Sequence, residues 1–137
     1  MPDSRKVIII EDDKDINELI AYNLRKEGFC VEQVFDGFSA QRKFEDENFN
    51  IVILDIMLPG IGGFDICRQI KDDPRNFRTF IIVVSAKCHH QDKLYAYILG
   101  ADCYFTKPFN LANLLNTIRE ASENLDKEFL VNNQKGG

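Results

Sequence analysis

The stretch Ile51-Val52-Ile53-Leu54-Asp55 decides the fold. An apolar run this short, rich in β-branched residues, reads as a strand buried on both faces of a parallel sheet. It ends abruptly on a carboxylate. Three other segments share the design. Val7-Ile8-Ile9-Ile10 runs into Glu11-Asp12-Asp13, Phe80-Ile81-Ile82-Val83-Val84 into Ser85, and Cys103-Tyr104-Phe105-Thr106 into Lys107-Pro108. In an open α/β sheet, ligands bind outside the carboxyl ends of the strands. If the four strands are parallel neighbours, three carboxylates, a hydroxyl and an ammonium converge on one edge, a setting suited to a divalent cation and a phosphoryl group.

Strand and helix signals alternate five times. Strands are expected at 6–10, 29–34, 51–55, 80–85 and 103–105. Helices are expected at 14–27, with Ile16, Leu19, Ile20 and Leu24 on one face, at 39–47 behind a Ser39 cap, and at 64–71. Two more are expected at 91–99 and from Leu111 behind Asn110, with Leu114, Leu115, Ile118 and Leu125 at helical spacing. Gly28 and Gly100 are natural helix stops, and Asp73-Pro74 ends the third helix because proline pushes the preceding residue out of helical geometry. This alternation implies βαβ units, hence a parallel sheet with helices on both faces. Residues 1–125 form the domain, and the polar stretch 126–137 reads as a frayed helix end or linker.

The bulk properties narrow the function. The 137 residues suit one domain, and a net charge of -5 argues against direct nucleic-acid binding, which needs a basic face. No apolar run approaches the roughly 20 residues of a membrane span, and residues 1–6 contain no signal-peptide core, so a cytoplasmic protein is expected. Cys30, Cys67, Cys88 and Cys103 fit no zinc spacing and are expected to be reduced and mostly buried. His89-His90 reads as surface loop, because adjacent side chains diverge and no third ligand lies near in sequence.

Three carboxylates held close together raise one another's pKa, and a hard divalent cation resolves the conflict. Mg²⁺ favours one or two carboxylates, waters and phosphate oxygens. Asp12 and Asp55 are the expected direct ligands, with Glu11 acting through water, Asp13 holding outer water or capping a helix, and the Met57 backbone carbonyl completing the shell. A free Asp55 oxygen then serves as nucleophile toward phosphorus, giving an aspartyl phosphate. Lys107 and Ser85 would each engage a phosphoryl oxygen. Singly, each residue has an ordinary explanation: helix cap, turn former, loop lysine or solvated acid. Four suitable groups at the ends of four separate strands are better explained by one shared site.

The chain resembles the receiver domain of bacterial two-component response regulators over about residues 6–124. The resemblance rests on Glu11-Asp12, the segment Leu-Asp-Ile-Met-Leu-Pro-Gly at 54–60, Gly63, Val-Ser-Ala-Lys at 84–87, Gly100-Ala101-Asp102 and Tyr104-Phe105-Thr106-Lys107-Pro108-Phe109, in this order and spacing. It implies a doubly wound, flavodoxin-like (βα)5 fold with five parallel strands in the order 2-1-3-4-5. It also implies Asp55 as phosphoacceptor, a sensor histidine kinase or histidine phosphotransfer protein as donor, and Glu11 and Asp12 around Mg²⁺. Ser85 and Lys107 would contact the phosphoryl group, and the Lys107–Pro108 bond would be cis. Tyr104 falls at the family's aromatic switch position. Its ring would turn inward when Ser85 moves toward the phosphate, remodelling the face formed by the fourth helix, fifth strand and fifth helix to signal to an effector or a second copy. The domain would be a signalling switch that assists its own phosphorylation and dephosphorylation, rather than an enzyme acting on other substrates.

Some positions depart from the family pattern. Gly62 replaces a frequent Asp, and Cys103 stands where DNA-binding members often carry a second acid used in a dimer contact. Lys87 lies two residues beyond Ser85, at a position able to face the phosphoryl site. Met57 lies two beyond Asp55, where its bulk is expected to hinder attacking water. Two other readings compete. A haloacid-dehalogenase-like phosphatase would need an acid at Met57 and a nucleophile after the first strand. A degenerate receiver that binds partners without phosphorylation would usually lack one of the acidic cluster, Asp55 or Lys107, and all are present.

Overall fold

The computed structural model describes residues 5–136, with side chains through Leu125. Five strands, β1 (Lys6–Ile10), β2 (Cys30–Val34), β3 (Ile51–Leu54), β4 (Phe80–Ser85) and β5 (Cys103–Thr106), form one sheet in the order β2-β1-β3-β4-β5. Every pairing is parallel. The connecting helices are α1 (Lys14–Lys26), α2 (Gly37–Asp46), α3 (Gly63–Asp72), α4 (His90–Ile98) and α5 (Leu111–Gly136), with a short 3₁₀ turn at Pro74–Asn76. The fold is therefore the doubly wound α/β architecture expected. Residues 126–136, read above as a frayed helix end or linker, continue α5 as helix, and Gly137 lies outside the described residues.

Alternation along the central strands builds two cores. Val7, Ile9, Ile51, Ile53, Ile82 and Val84 face α1 and α5 and meet Ile20, Leu24, Leu114 and Ile118. Their neighbours Ile8, Ile10, Val52, Leu54, Ile81 and Val83 face the other layer, where Ala40, Ile66, Cys67, Ile70 and Ala96 come from α2, α3 and α4. Strands sandwiched in this way leave no solvated face, which is why their sequences are continuous apolar runs.

Local signals set most element ends. Asp13 caps α1, its Oδ1 accepting from the Ile16 N–H at 3.1 Å, and Asn110 Oδ1 accepts from the Asn113 N–H at 3.0 Å at the start of α5. Gly28 and Gly100 end α1 and α4 at φ 93° and 114°, a region open to glycine at little cost. At α2 the cap is Asp36 and not Ser39. The Asp36 carboxylate accepts from both the N–H and the hydroxyl of Ser39, at 2.8 and 2.9 Å, so Ser39 lies inside the first turn. The expectation of mostly buried thiols also fails. Cys67 is buried and Cys103 half-buried, but Cys30, at the start of β2, and Cys88, in the loop before α4, are exposed.

One glycine fixes how the loop after β3 closes. A Cβ on Gly63 would meet the Ile56 Cα and come within 2.8 Å of the Asp55 carbonyl oxygen. Both obstacles are backbone and have no easy way to yield. Gly63→Ala is expected to destabilise the fold by about 1–3 kcal/mol, read as a lower urea midpoint. An unchanged midpoint would mean the loop relaxes freely.

Candidate functional site at the carboxyl edge of the sheet

Strand register assembles the site. Ile10 pairs with Leu54, and Ser85 with Thr106. Parallel hydrogen bonding continues one residue further on three strands. The Glu11 N–H donates to Val34 O at 3.2 Å, Asp55 N–H to Ile10 O at 2.9 Å, and Lys107 N–H to Ser85 O at 2.8 Å. The residues following β1, β3 and β5 are thus held side by side by the ladder itself.

Glu11, Asp12 and Asp55 each offer a carboxylate oxygen, and these atoms lie within 4.8 Å of one another. Glu11 and Asp55 are buried, at 2% and 4% exposure, whereas Asp12 is open to solvent. The Lys107 ammonium bridges the buried pair, 2.6 Å from Glu11 Oε1 and 2.8 Å from Asp55 Oδ2. The remaining oxygens are also held: Met57 N–H donates to Asp55 Oδ1 at 2.8 Å and Asp13 N–H to Glu11 Oε2 at 3.1 Å. The peptide before Pro108 is cis. Asn17, buried under the edge, donates from Nδ2 to the carbonyls of Glu11 and Val34, both at 3.0 Å. This supporting amide was not picked out from the sequence, where a mid-helix Asn carries no distinctive signal.

The electrostatics follow from burial. Desolvation pushes the Glu11 carboxyl up from 4.5 to about 7, although its bond to Lys107 pulls the other way. Burial opposes the charge on Lys107, but its hydrogen bonds to Asp55 and Glu11 outweigh that and raise its pKa. An all-oxygen donor set with excess negative charge suits a hard divalent cation. Lys107 compensates only part of that charge.

Ser85 is fully buried, and its Oγ accepts from the Lys87 N–H at 3.2 Å. Tyr104 is half-buried, and its hydroxyl donates to the Lys87 carbonyl at 2.7 Å. The Lys87 ammonium does not face the carboxylates. It stands over the Phe64 ring, 5.8 Å from the centroid, and Phe64 in turn meets Tyr95 edge-on at 4.8 Å. Met57 projects outward at 51% exposure beside the site. His89 and His90 lie exposed around the start of α4. The Glu11, Asp12, Asp55, Ser85 and Lys107 side chains predicted to act together therefore occupy one edge, and Tyr104 joins them through Lys87.

A doubly wound sheet with acids, a hydroxyl and a lysine at its carboxyl edge defines a class of phosphoacceptor-type domains, and the comparisons with known proteins specify it. The profile of the response regulator receiver domain matches residues 7–119. The chain belongs to that family of two-component signalling domains, whose members act as phosphoacceptors. Among solved structures, it is similar to a CheY-like response regulator receiver domain protein from Methanospirillum hungatei JF-1, with TM-score 0.85 and 27% identity over 92% of this chain and 99% of that one. It is also similar to the BeF3-activated DrrB receiver domain, at TM-score 0.81 and 30% identity over 88% and 99% of the two chains. A third likeness is to the phosphorylated cyanobacterial phytochrome response regulator RcpA, at TM-score 0.74 and 28% identity over 88% and 93%. No described helix is long and apolar enough to cross a membrane.

The raised pKa of Glu11 has a definite sign. Its folded value lies above the unfolded one, so its contribution to stability is fully present below about 4.5 and lost as pH rises through about 7. In EDTA, the Tm is expected to fall from about pH 6 to about pH 8, and Glu11→Gln should flatten that fall. The same slope in both proteins would assign it to other groups.

Proposed function

We propose that this receiver accepts a phosphoryl group on Asp55 from a phosphohistidine of a sensor histidine kinase or histidine phosphotransfer protein. The observation that carries the reading is the holding of Asp55 itself. One carboxylate oxygen accepts from the Met57 N–H and the other from the Lys107 ammonium, at 2.8 Å each, which fixes the carboxylate in orientation. An Asp55 oxygen forms the new O–P bond as the donor's N–P bond breaks. The leaving imidazole nitrogen keeps the electron pair and takes up a proton. Such transfer depends mainly on positioning and charge neutralisation.

Glu11, Asp12 and Asp55, with the Met57 backbone carbonyl, are the groups that would hold Mg²⁺. When bound, Mg²⁺ supplies neutralisation of the phosphoryl oxygens' charge. Lys107 gives up one of its carboxylate contacts to bond a phosphoryl oxygen. Ser85, whose Oγ accepts from the Lys87 N–H, donates its hydroxyl proton to another. That movement draws on the Ser85–Lys87 segment and so loosens the Lys87 carbonyl from the Tyr104 hydroxyl. Tyr104 then turns inward, and the surface of α4, β5 and α5 changes shape, a population shift biased by local charge. The exposure of Leu94, Tyr95, Tyr97 and Ile98 on α4 supports an output surface there for an effector or a second copy. Residues 126–137 serve as the segment that leaves the phosphoacceptor unit.

Intact mass after incubation with Mg²⁺ and a small-molecule phosphodonor tests the acceptor. A single added phosphoryl group is expected, absent in Asp55→Asn and absent when EDTA removes the metal. An adduct that persists in Asp55→Asn would place the acceptor elsewhere. The exposed Met57 side chain beside Asp55 is expected to hinder the hydrolytic water. The phosphorylated wild type should therefore outlive phosphorylated Met57→Asn, and equal lifetimes would remove that role.

A further inference from the structure

The pole of the sheet opposite Asp55 gathers basic side chains. At the amino-terminal ends of β1, β3 and β4 lies a cleft of about 500 Å³, walled by Arg5, Lys6, Arg75, Arg78, Asn48 and Asn50. Four cations on one small concavity stand out in a chain of net charge -5. Three of them are already engaged: Lys6 Nζ lies 2.7 Å from Glu47, Arg75 forks onto Asp73 at 2.7 Å, and Arg5 holds an interaction of its own. The Arg78 guanidinium lies over the Phe77 ring, 5.3 Å from the centroid. Arg78 is thus the cation of this cleft that stands without a carboxylate among the described residues.

The neutral donors point to the same chemistry. Asn50 uses its Oδ1 to accept from the Lys6 N–H at 2.8 Å, which leaves its amide N–H groups as the available function. Asn48 is exposed beside it. Phe49 and Leu125 add apolar wall. The frame is rigid. The Asn50 N–H donates to Lys6 O and Phe80 N–H to Asn50 O, both at 2.9 Å, tying the walls to three strands. A preformed site loses little to ordering on binding. Guanidinium and amide donors suit phosphate oxygens, and the volume far exceeds a bare phosphate and falls in the range of small-molecule sites.

We propose that this cleft binds the phosphate of a nucleotide-sized phosphorylated small molecule, with the phosphate on Arg78 and the less polar part against Phe49 and Leu125. The site shares no residue with the carboxylate edge, so it stands or falls independently of Asp55 chemistry.

The test uses the full chain in EDTA, with adenosine monophosphate, inorganic phosphate and adenosine as probes, followed by backbone amide shifts. Adenosine monophosphate is expected to move the amides of Asn48, Asn50 and Thr79 and to leave those of Asp12 and Asp55 in place. Inorganic phosphate should bind more weakly at the same amides, and adenosine should not bind. Arg78→Glu should weaken binding roughly tenfold or more. Because Arg78 is exposed and, among the described residues, its recorded contact is the Phe77 ring, the Tm of this variant should stay unchanged, and Asn48→Asp provides a second variant with the same expected direction. Shifts centred on Asp55, wild-type affinity in both variants, or adenosine binding as well as its monophosphate would overturn the proposal.

Discussion

Two buried carboxylates, Glu11 and Asp55, share one ammonium at the edge of the sheet, and much of the molecule is arranged around that contact. Lys107 reaches them at 2.6 and 2.8 Å. Taking like charges out of water costs several kcal/mol per ion unless they are paired and hydrogen-bonded. The backbone answers part of that cost, with the N–H groups of Met57 and Asp13 donating to the outer oxygens. Glu11 shows the remainder as a pKa pushed up to about 7. A site in this condition is poised to take up a cation, because a divalent ion relieves the repulsion that burial created.

Such a contact requires a stiff frame, and the ladder supplies it. The three residues come from the ends of β1, β3 and β5, which are far apart in sequence and are aligned by parallel register. Both faces of the central strands are covered, so a slip in register would move whole apolar sets out of their helix layers. The loop after Asp55 closes against the backbone only because Gly63 has no Cβ. Core packing and site geometry are thus set by the same constraint.

The connection from site to surface runs through short polar and aromatic steps. Ser85 Oγ meets the Lys87 N–H, the Lys87 carbonyl meets the Tyr104 hydroxyl, and the Lys87 ammonium covers Phe64, which touches Tyr95 on α4. Lys87 therefore belongs to the link between the carboxyl edge and α4, although its place in the sequence also allowed it to face the phosphoryl site. The opposite pole, with Arg75 and Arg78 beside Lys6, shows that the protein's acidity is unevenly placed.

The strands, most helix ends and the set of edge residues were legible in the sequence because each has a local cause. Buried strands must be apolar, α1 needs an acceptor at Asp13, and α4 needs a left-handed residue at Gly100. The cap of α2, read from the sequence as Ser39, is Asp36 in the structure, whose carboxylate accepts from the Ser39 N–H. Cys30 and Cys88 were misplaced because composition reports the habit of a residue type and not the position it occupies. By itself, the sequence determined the layers and which side chains end which strand, since hydrophobic period and capping act over a few residues. Only the tertiary structure decided that Lys107 bridges Glu11 and Asp55, that Lys87 turns to Phe64, and that Arg5, Lys6, Arg75 and Arg78 gather at one pole. Those contacts join residues from separate strands and turns, and their geometry exists only once the register and the two cores are in place.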